Sequence, residues 1–206
     1  MPDESDFDPM FGDPSLWPRA SAGFAKGNLV AARHRYVVTH WGEGVLAELV
    51  GRLDDEAGRL LQRPPLPMGW HRLSTLARID QALFRGPMNG DMAAMRAFGF
   101  EIADYDLSTL YKILFKVGSP GFIAGRLGVA YGTYLREAGT MRVEVSGHAA
   151  RAEMTGGVVP MYLCAAGITG WIEAALVRSG AKEGRVEHTA CQHHGEPTCV
   201  WELSWR

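Results

Sequence analysis

The chain is short of cysteine, of long apolar runs and of surplus charge. Its 206 residues include three cysteines, which cannot all pair with one another. A disulfide framework is therefore not expected, and a reducing, cytoplasmic setting is. No apolar stretch approaches the roughly 18 residues that read as a membrane span, and no run of Lys or Arg suggests a membrane surface. Lys and Arg number 21 against 23 Asp and Glu, a net charge of −2 that leaves no electrostatic footprint for nucleic acid. The opening MPDESDFDPMFGDP is acidic where a signal peptide would be basic and then apolar. P-loop, G-x-S-x-G and H-E-x-x-H motifs are missing, and the 25 glycines form no dinucleotide fingerprint. No residue is nominated as catalytic, and the chain is read as non-enzymatic.

What remains is an ordinary globular composition, 47% hydrophobic and 21% charged, suited to one domain. Residues 1–22 are expected to form an acidic tail. Asp3, Glu4, Asp6, Asp8 and Asp13 precede the first base, and Pro2, Pro9, Pro14 and Pro18 break helices. Phe7, Met10, Phe11, Leu16 and Trp17 give that tail a means of docking on a partner or on the domain. The domain itself spans 23–206.

From residue 27 the pattern is helical. Val45, Leu46, Leu49, Val50, Leu53, Leu60 and Leu61 predict one amphipathic helix, ended by Arg63-Pro64-Pro65-Leu66-Pro67. Further helices are predicted over Trp70–Phe84, over Asp91 to about Ala103, over LSTLYKILFKV with Asp106 or Ser108 as cap, and from Ser119-Pro120 to about Glu137. The period then changes to two. Met141–Ser146 and Ala150–Met154 alternate around Gly147-His148, which predicts a hairpin. Pro160 opens another helix that Ser179-Gly180 ends, and strands follow over Arg185–Gln192 and Thr198–Trp205. The order helices-β-β-α-β-β predicts an α+β fold, N-terminal helices packed with a C-terminal antiparallel sheet.

All three cysteines fall in the last 43 residues: Cys164 in the late helix, Cys191 and Cys199 in the final strands. With Glu187-His188 just before Cys191, they offer thiolate and imidazole donors suited to a single zinc ion. A regular strand would put Glu187 and Cys191 on one face and His188 on the other, so His188 needs a bulge to join them. The fourth donor is sought first in His188, then Glu187, then His193 or His194. His193 and His194 otherwise read as solvated residues of a polar turn.

The run Tyr134 to Gly139, the helix around Cys164-Ala-Ala-Gly167 with Gly170 and Trp171, then Gly180, Val186-Glu-His and Cys191-x-x-x-Gly195-x-x-x-Cys199-x-Trp201 resemble the 4-vinyl reductase domain. That domain belongs with the haem-nitric-oxide-binding-like and TRAPP-subunit-like folds. In its sensor members zinc is held by three Cys and one Glu, and the matching positions here are Cys164, Cys191, Cys199 and, in place of Glu, His188. Four protein donors imply a structural metal. The sensors also enclose a small aromatic molecule, which implies a pocket for a small hydrophobic or aromatic ligand lined by Tyr111, Phe115, Phe122, Tyr131, Tyr134 and Trp171. The resemblance implies a ligand-binding sensory domain that signals through a partner protein, or a TRAPP-like scaffold subunit, in either case a homodimer; a tetrapyrrole carrier or reductase comes last. The haem relatives' Y-x-S-x-R motif is absent: the nearest stretch, Tyr131-Gly-Thr-Tyr-Leu-Arg136, departs from it in two of three defining positions.

Overall fold

The computed structural model describes residues 16, 22–110, 118–157 and 159–206, with the backbone alone over 104–110. Most of the expected tail, together with Tyr111 and Phe115, lies outside the described residues.

Strand β1 (Phe24–Lys26) leads into helix α1 (Gly27–Arg52). Gly42 breaks α1 with φ 80° and ψ 176°, an extended turn in the left-handed region that suits glycine. The helix predicted across Val45–Leu61 is in fact two. The Asp54 side chain accepts hydrogen bonds from the Glu56 and Ala57 amides and starts helix α2 (Asp55–Gln62), because an N-cap ends one helix as it begins the next. Trp70–Arg72 forms strand β2 rather than helix, and α3 runs over Leu73–Arg85. Helix α4 (Met92–Leu110) passes through Asp106 and Ser108, so neither caps a separate helix.

Ser119 caps α5 (Pro120–Ala124) as its sequence position predicts, its hydroxyl accepting from the Phe122 amide. The expected long helix to Glu137 is instead α5, α6 (Leu127–Tyr134) and a short strand β3 (Leu135–Arg136). β1 pairs antiparallel with both β2 and β3, forming a small sheet that the sequence pattern does not reveal.

The C-terminal half follows the predicted order. β4 (Thr140–Ser146) and β5 (Ala149–Thr155) form the hairpin. A helix begins after Pro160, passes through a π-helical stretch Leu163–Ile168 and continues as α7 (Thr169–Arg178). β6 (Arg185–Ala190) and β7 (Cys199–Ser204) complete an antiparallel sheet in the order β4-β5-β7-β6. Trp201, Leu203 and Trp205 are buried together, the shared face their alternation predicts. The architecture is α+β, with N-terminal helices and a C-terminal antiparallel sheet.

The core has two parts. One gathers α1 to α4 around Val37, Leu61, Ile79, Leu83 and Phe98. The other fills the space between α7 and the sheet with Met154, Ile172, Leu176 and Trp201. Each such side chain contributes about 1.5–3 kcal/mol by leaving water. Leu163 and Trp171 pack against both parts, which makes the π stretch and the start of α7 the junction of the domain.

Candidate metal centre and apolar cavity

Four donors meet beside that junction. Cys164 stands in the π stretch, His188 on β6, Cys191 just after β6 and Cys199 at the start of β7. One donor atom from each lies within 4.8 Å of all the others, and a group of this kind can hold a metal ion. The Cys164 Sγ is 3.5 Å from His188 Nε2, and the Cys191 and Cys199 sulfurs are 4.0 Å apart. The pairing of β6 with β7 slips between His188 and Ala190, and beyond this bulge Cys191 comes to lie on the face that His188 shares with Val186. Glu187 stays exposed on the other face, 3.1 Å from Arg185 Nε, and is outside the cluster.

The electrostatics favour a cation. All three sulfurs are buried. Hydrogen bonds from the Cys164 thiol and then the Cys191 thiol hold Cys199 far below the ordinary thiol range. The same crowding, first from Cys191, then from Cys199 and from burial, pushes Cys164 well up. Three thiols this close cannot all ionise unless a positive charge sits among them.

The turn between Cys191 and Cys199 is solvated over residues 194–197, as its polar composition predicts, but not at its start. Gln192 is buried; its amide N–H lies 3.4 Å from Cys199 Sγ and its side chain donates to the Gly157 carbonyl at 2.8 Å. His193 Nε2 donates to the Val159 carbonyl at 2.7 Å, while His194 is exposed. On the other side, Trp201 donates to the Thr169 hydroxyl at 3.1 Å and lies 5.0 Å, ring to ring, from His188. Gln192 and Thr169 carry no metal-ligand chemistry, so only their contacts reveal them.

Next to the cluster lies a cavity of about 130 Å³. Tyr131, Tyr134 and Trp171 line it, as anticipated, with Leu76, Val159, Leu163, Gly167 and Ile168 among others. Phe122 is not in the lining: it sits 41% exposed under the Arg126 guanidinium. The Tyr131 hydroxyl donates to the Ala138 carbonyl, and burial first, then the nearby Cys164 and Cys199 charges, push its pKa up, so it stays protonated. Among the described residues one charged side chain, Arg33, reaches the wall. Its Nε and Nη2 bond both oxygens of Asp80 at 2.8 and 3.0 Å, and its Nη1 donates to the Leu29 carbonyl at 3.0 Å.

No family model matches the sequence, and no curated protein matches it. Solved structures do. An H-NOX protein from S. oneidensis in the Fe(II)NO ligation state aligns with TM-score 0.66 and 16% identity, over 88% of this chain and 99% of that one. The chain has the H-NOX fold. An unliganded Fe(II) H-NOX variant from K. algicida aligns at TM-score 0.62 and 13% identity, over 88% and 96% of the two chains. A further H-NOX structure, concerned with haem distortion in that family, gives TM-score 0.64 and 15% identity, over 88% and 95%. At such identities the likeness is one of fold. It meets the haem-nitric-oxide-binding side of the resemblance drawn from the sequence.

The H-NOX fold implies haem, and the lining residues do not suit it. Among the described residues, none of the seven histidines lines the cavity and all three cysteines are gathered in the cluster, so the lining there offers neither an imidazole nor a thiolate as axial ligand. The one guanidinium among the described lining residues, that of Arg33, is already committed to Asp80 and Leu29 and is not free for a haem propionate. The space of about 130 Å³ is also well short of the roughly 300–1,000 Å³ of pockets for larger ligands. At its wall two helices cross closely: a Cβ on Gly99 of α4 would lie 1.9 Å from the Gly167 carbonyl oxygen.

Proposed function

We propose that this H-NOX-fold chain is a haem-free, zinc-stabilised small-molecule-binding domain of 4-vinyl reductase type, which senses rather than catalyses. The convergence of four donors from helix and sheet, all within 4.8 Å of one another, is the observation that carries the reading. Zinc suits the donor set and its dimensions. Bonds of about 2.3 Å to sulfur and 2.0–2.1 Å to nitrogen give tetrahedral edges of about 3.8 Å between sulfurs and about 3.6 Å between sulfur and nitrogen. The chain has 4.0 Å and 3.5 Å at the corresponding places. Cys164, His188, Cys191 and Cys199 then fill the coordination sphere, and the ion is structural.

The ligand is a small apolar or aromatic molecule. Apolar cavities of about 150 Å³ hold benzene or xenon, and Tyr131, Tyr134 and Trp171 supply an aromatic wall of that scale. The output passes to a partner protein, with the acidic segment 1–22 as a docking element and a homodimer as the assembly. A haem gas sensor is the second reading, favoured by the iron ligation states of the H-NOX structures, and it requires an axial ligand other than His or Cys.

Elemental analysis, native mass spectrometry and an absorption spectrum on protein purified without added metal decide between them. One zinc per chain without a Soret band supports the proposal. A haem-loaded chain without zinc overturns it.

A further inference from the structure

The cluster and the cavity share a wall. In the π-helical stretch, Cys164 faces the cluster while Leu163, Gly167 and Ile168 face the cavity. π-helical turns are rare and gather at functional sites, because they hold a helix in a register that plain α-helix would relax. The turn between the two later cysteines grips the same wall at Val159 and the chain just before it at Gly157. Val159 lines the cavity and its carbonyl accepts from His193, in the turn between Cys191 and Cys199. Gly157, two residues earlier, accepts from Gln192, whose amide N–H points at Cys199 Sγ. Tyr131 closes the wall from α6, its hydroxyl bonded to Ala138 and 3.5 Å from Met154 Sδ. A shift at Cys164 is therefore felt one residue away in the lining, with no loop between to absorb it.

We infer that occupancy of the cavity and occupancy of the Cys164–His188–Cys191–Cys199 cluster are linked through the π stretch, each tightening the other. This rests on the function proposed above and adds its regulation. The sign follows from what each ligand needs. The metal needs Cys164 held in the π register, and a molecule in the cavity needs Leu163 and Ile168 held as its wall. Both orders fix the same six residues, Leu163–Ile168, so the second ligand meets a segment already ordered. Linkage is reciprocal, and couplings of this type amount to about 5- to 150-fold in affinity.

The test uses the full chain with benzene as probe, and cobalt in place of zinc, since its visible bands report the thiolate geometry directly. Benzene binding is established first by a rise in melting temperature. The expected result is a shift of the cobalt–thiolate bands on benzene saturation, with zinc release to a chelator slowed about fivefold or more in the zinc-loaded chain. In Leu76→Phe, which fills the cavity from α3, added benzene should lose both effects. Bound benzene that leaves the bands and the release rate unchanged overturns the linkage while the function proposed above stands. A chain that holds no metal, or takes up no benzene, removes the function proposed above and the linkage with it.

Discussion

Replacing Asp80 by asparagine removes one charge from an ion pair that is almost dry. Asp80 is fully buried and Arg33 is 4% exposed. The carboxylate receives two parallel N–H bonds at 2.8 and 3.0 Å, and the guanidinium lies 5.4 Å from the Phe98 ring centre. Asparagine is nearly the same shape, so no cavity opens. Its amide turns N–H groups toward a donor-only guanidinium and leaves a positive charge without compensation inside the helical core. Breaking a buried pair in this way costs about 3–5 kcal/mol, which for a domain of this length lowers Tm by about 6–20 °C. Arg33→Met with Asp80→Leu removes both charges together, and buried pairs replaced so are typically unchanged or stabilised by about 1–4 kcal/mol. Urea and thermal unfolding of the two variants and the parent measure both numbers. An Asp80→Asn cost below about 1 kcal/mol, or a double variant weaker than the single one, would refute the view that an uncompensated charge sets the penalty.

Cys191→Ser should release the metal, and its melting should match that of the parent chain treated with chelator; retained metal with unchanged melting refutes the cluster as its site. Asp54→Ala should cost about 1 kcal/mol through loss of the α2 cap. Although burial alone would raise the Asp54 pKa, bonds from the Ala57 amide, Arg78 and the Glu56 amide bring it below the usual carboxylate value. The cap's contribution is therefore present above the unfolded-state pKa and disappears as pH falls through the folded one, so the two chains' stabilities should converge in acid. Gly99→Ala places a Cβ 1.9 Å from the Gly167 oxygen, forcing α4 and the π stretch apart at about 1–3 kcal/mol; an unchanged urea midpoint would show that the crossing is looser.

Local chemistry was legible in the chain because it is encoded over a few residues. The Ser119-Pro120 start, the hairpin at Gly147-His148, the helix after Pro160 and the alternation of Trp201, Leu203 and Trp205 each rest on neighbours in sequence, and each appears in the fold. Three cysteines at the spacing 164, 191, 199, with His188 nearby, marked the cluster before any geometry was known. Where two local signals competed, the pattern misled. The apolar period ran straight through Leu53–Asp54, and a cap won.

Tertiary structure decided the rest, because those outcomes depend on partners far along the chain. Whether His188 or Glu187 faces the cysteines is set by the slip of β6 against β7, and that register belongs to the pair of strands. Trp70–Arg72 becomes strand because β1, some 45 residues earlier, is there to pair with it. Gln192 is buried because its turn folds back onto Gly157. The cavity exists because two separate cores meet at Leu163 and Trp171. A spacing in sequence can nominate donors; only the packing of helix on sheet brings them within reach of one ion.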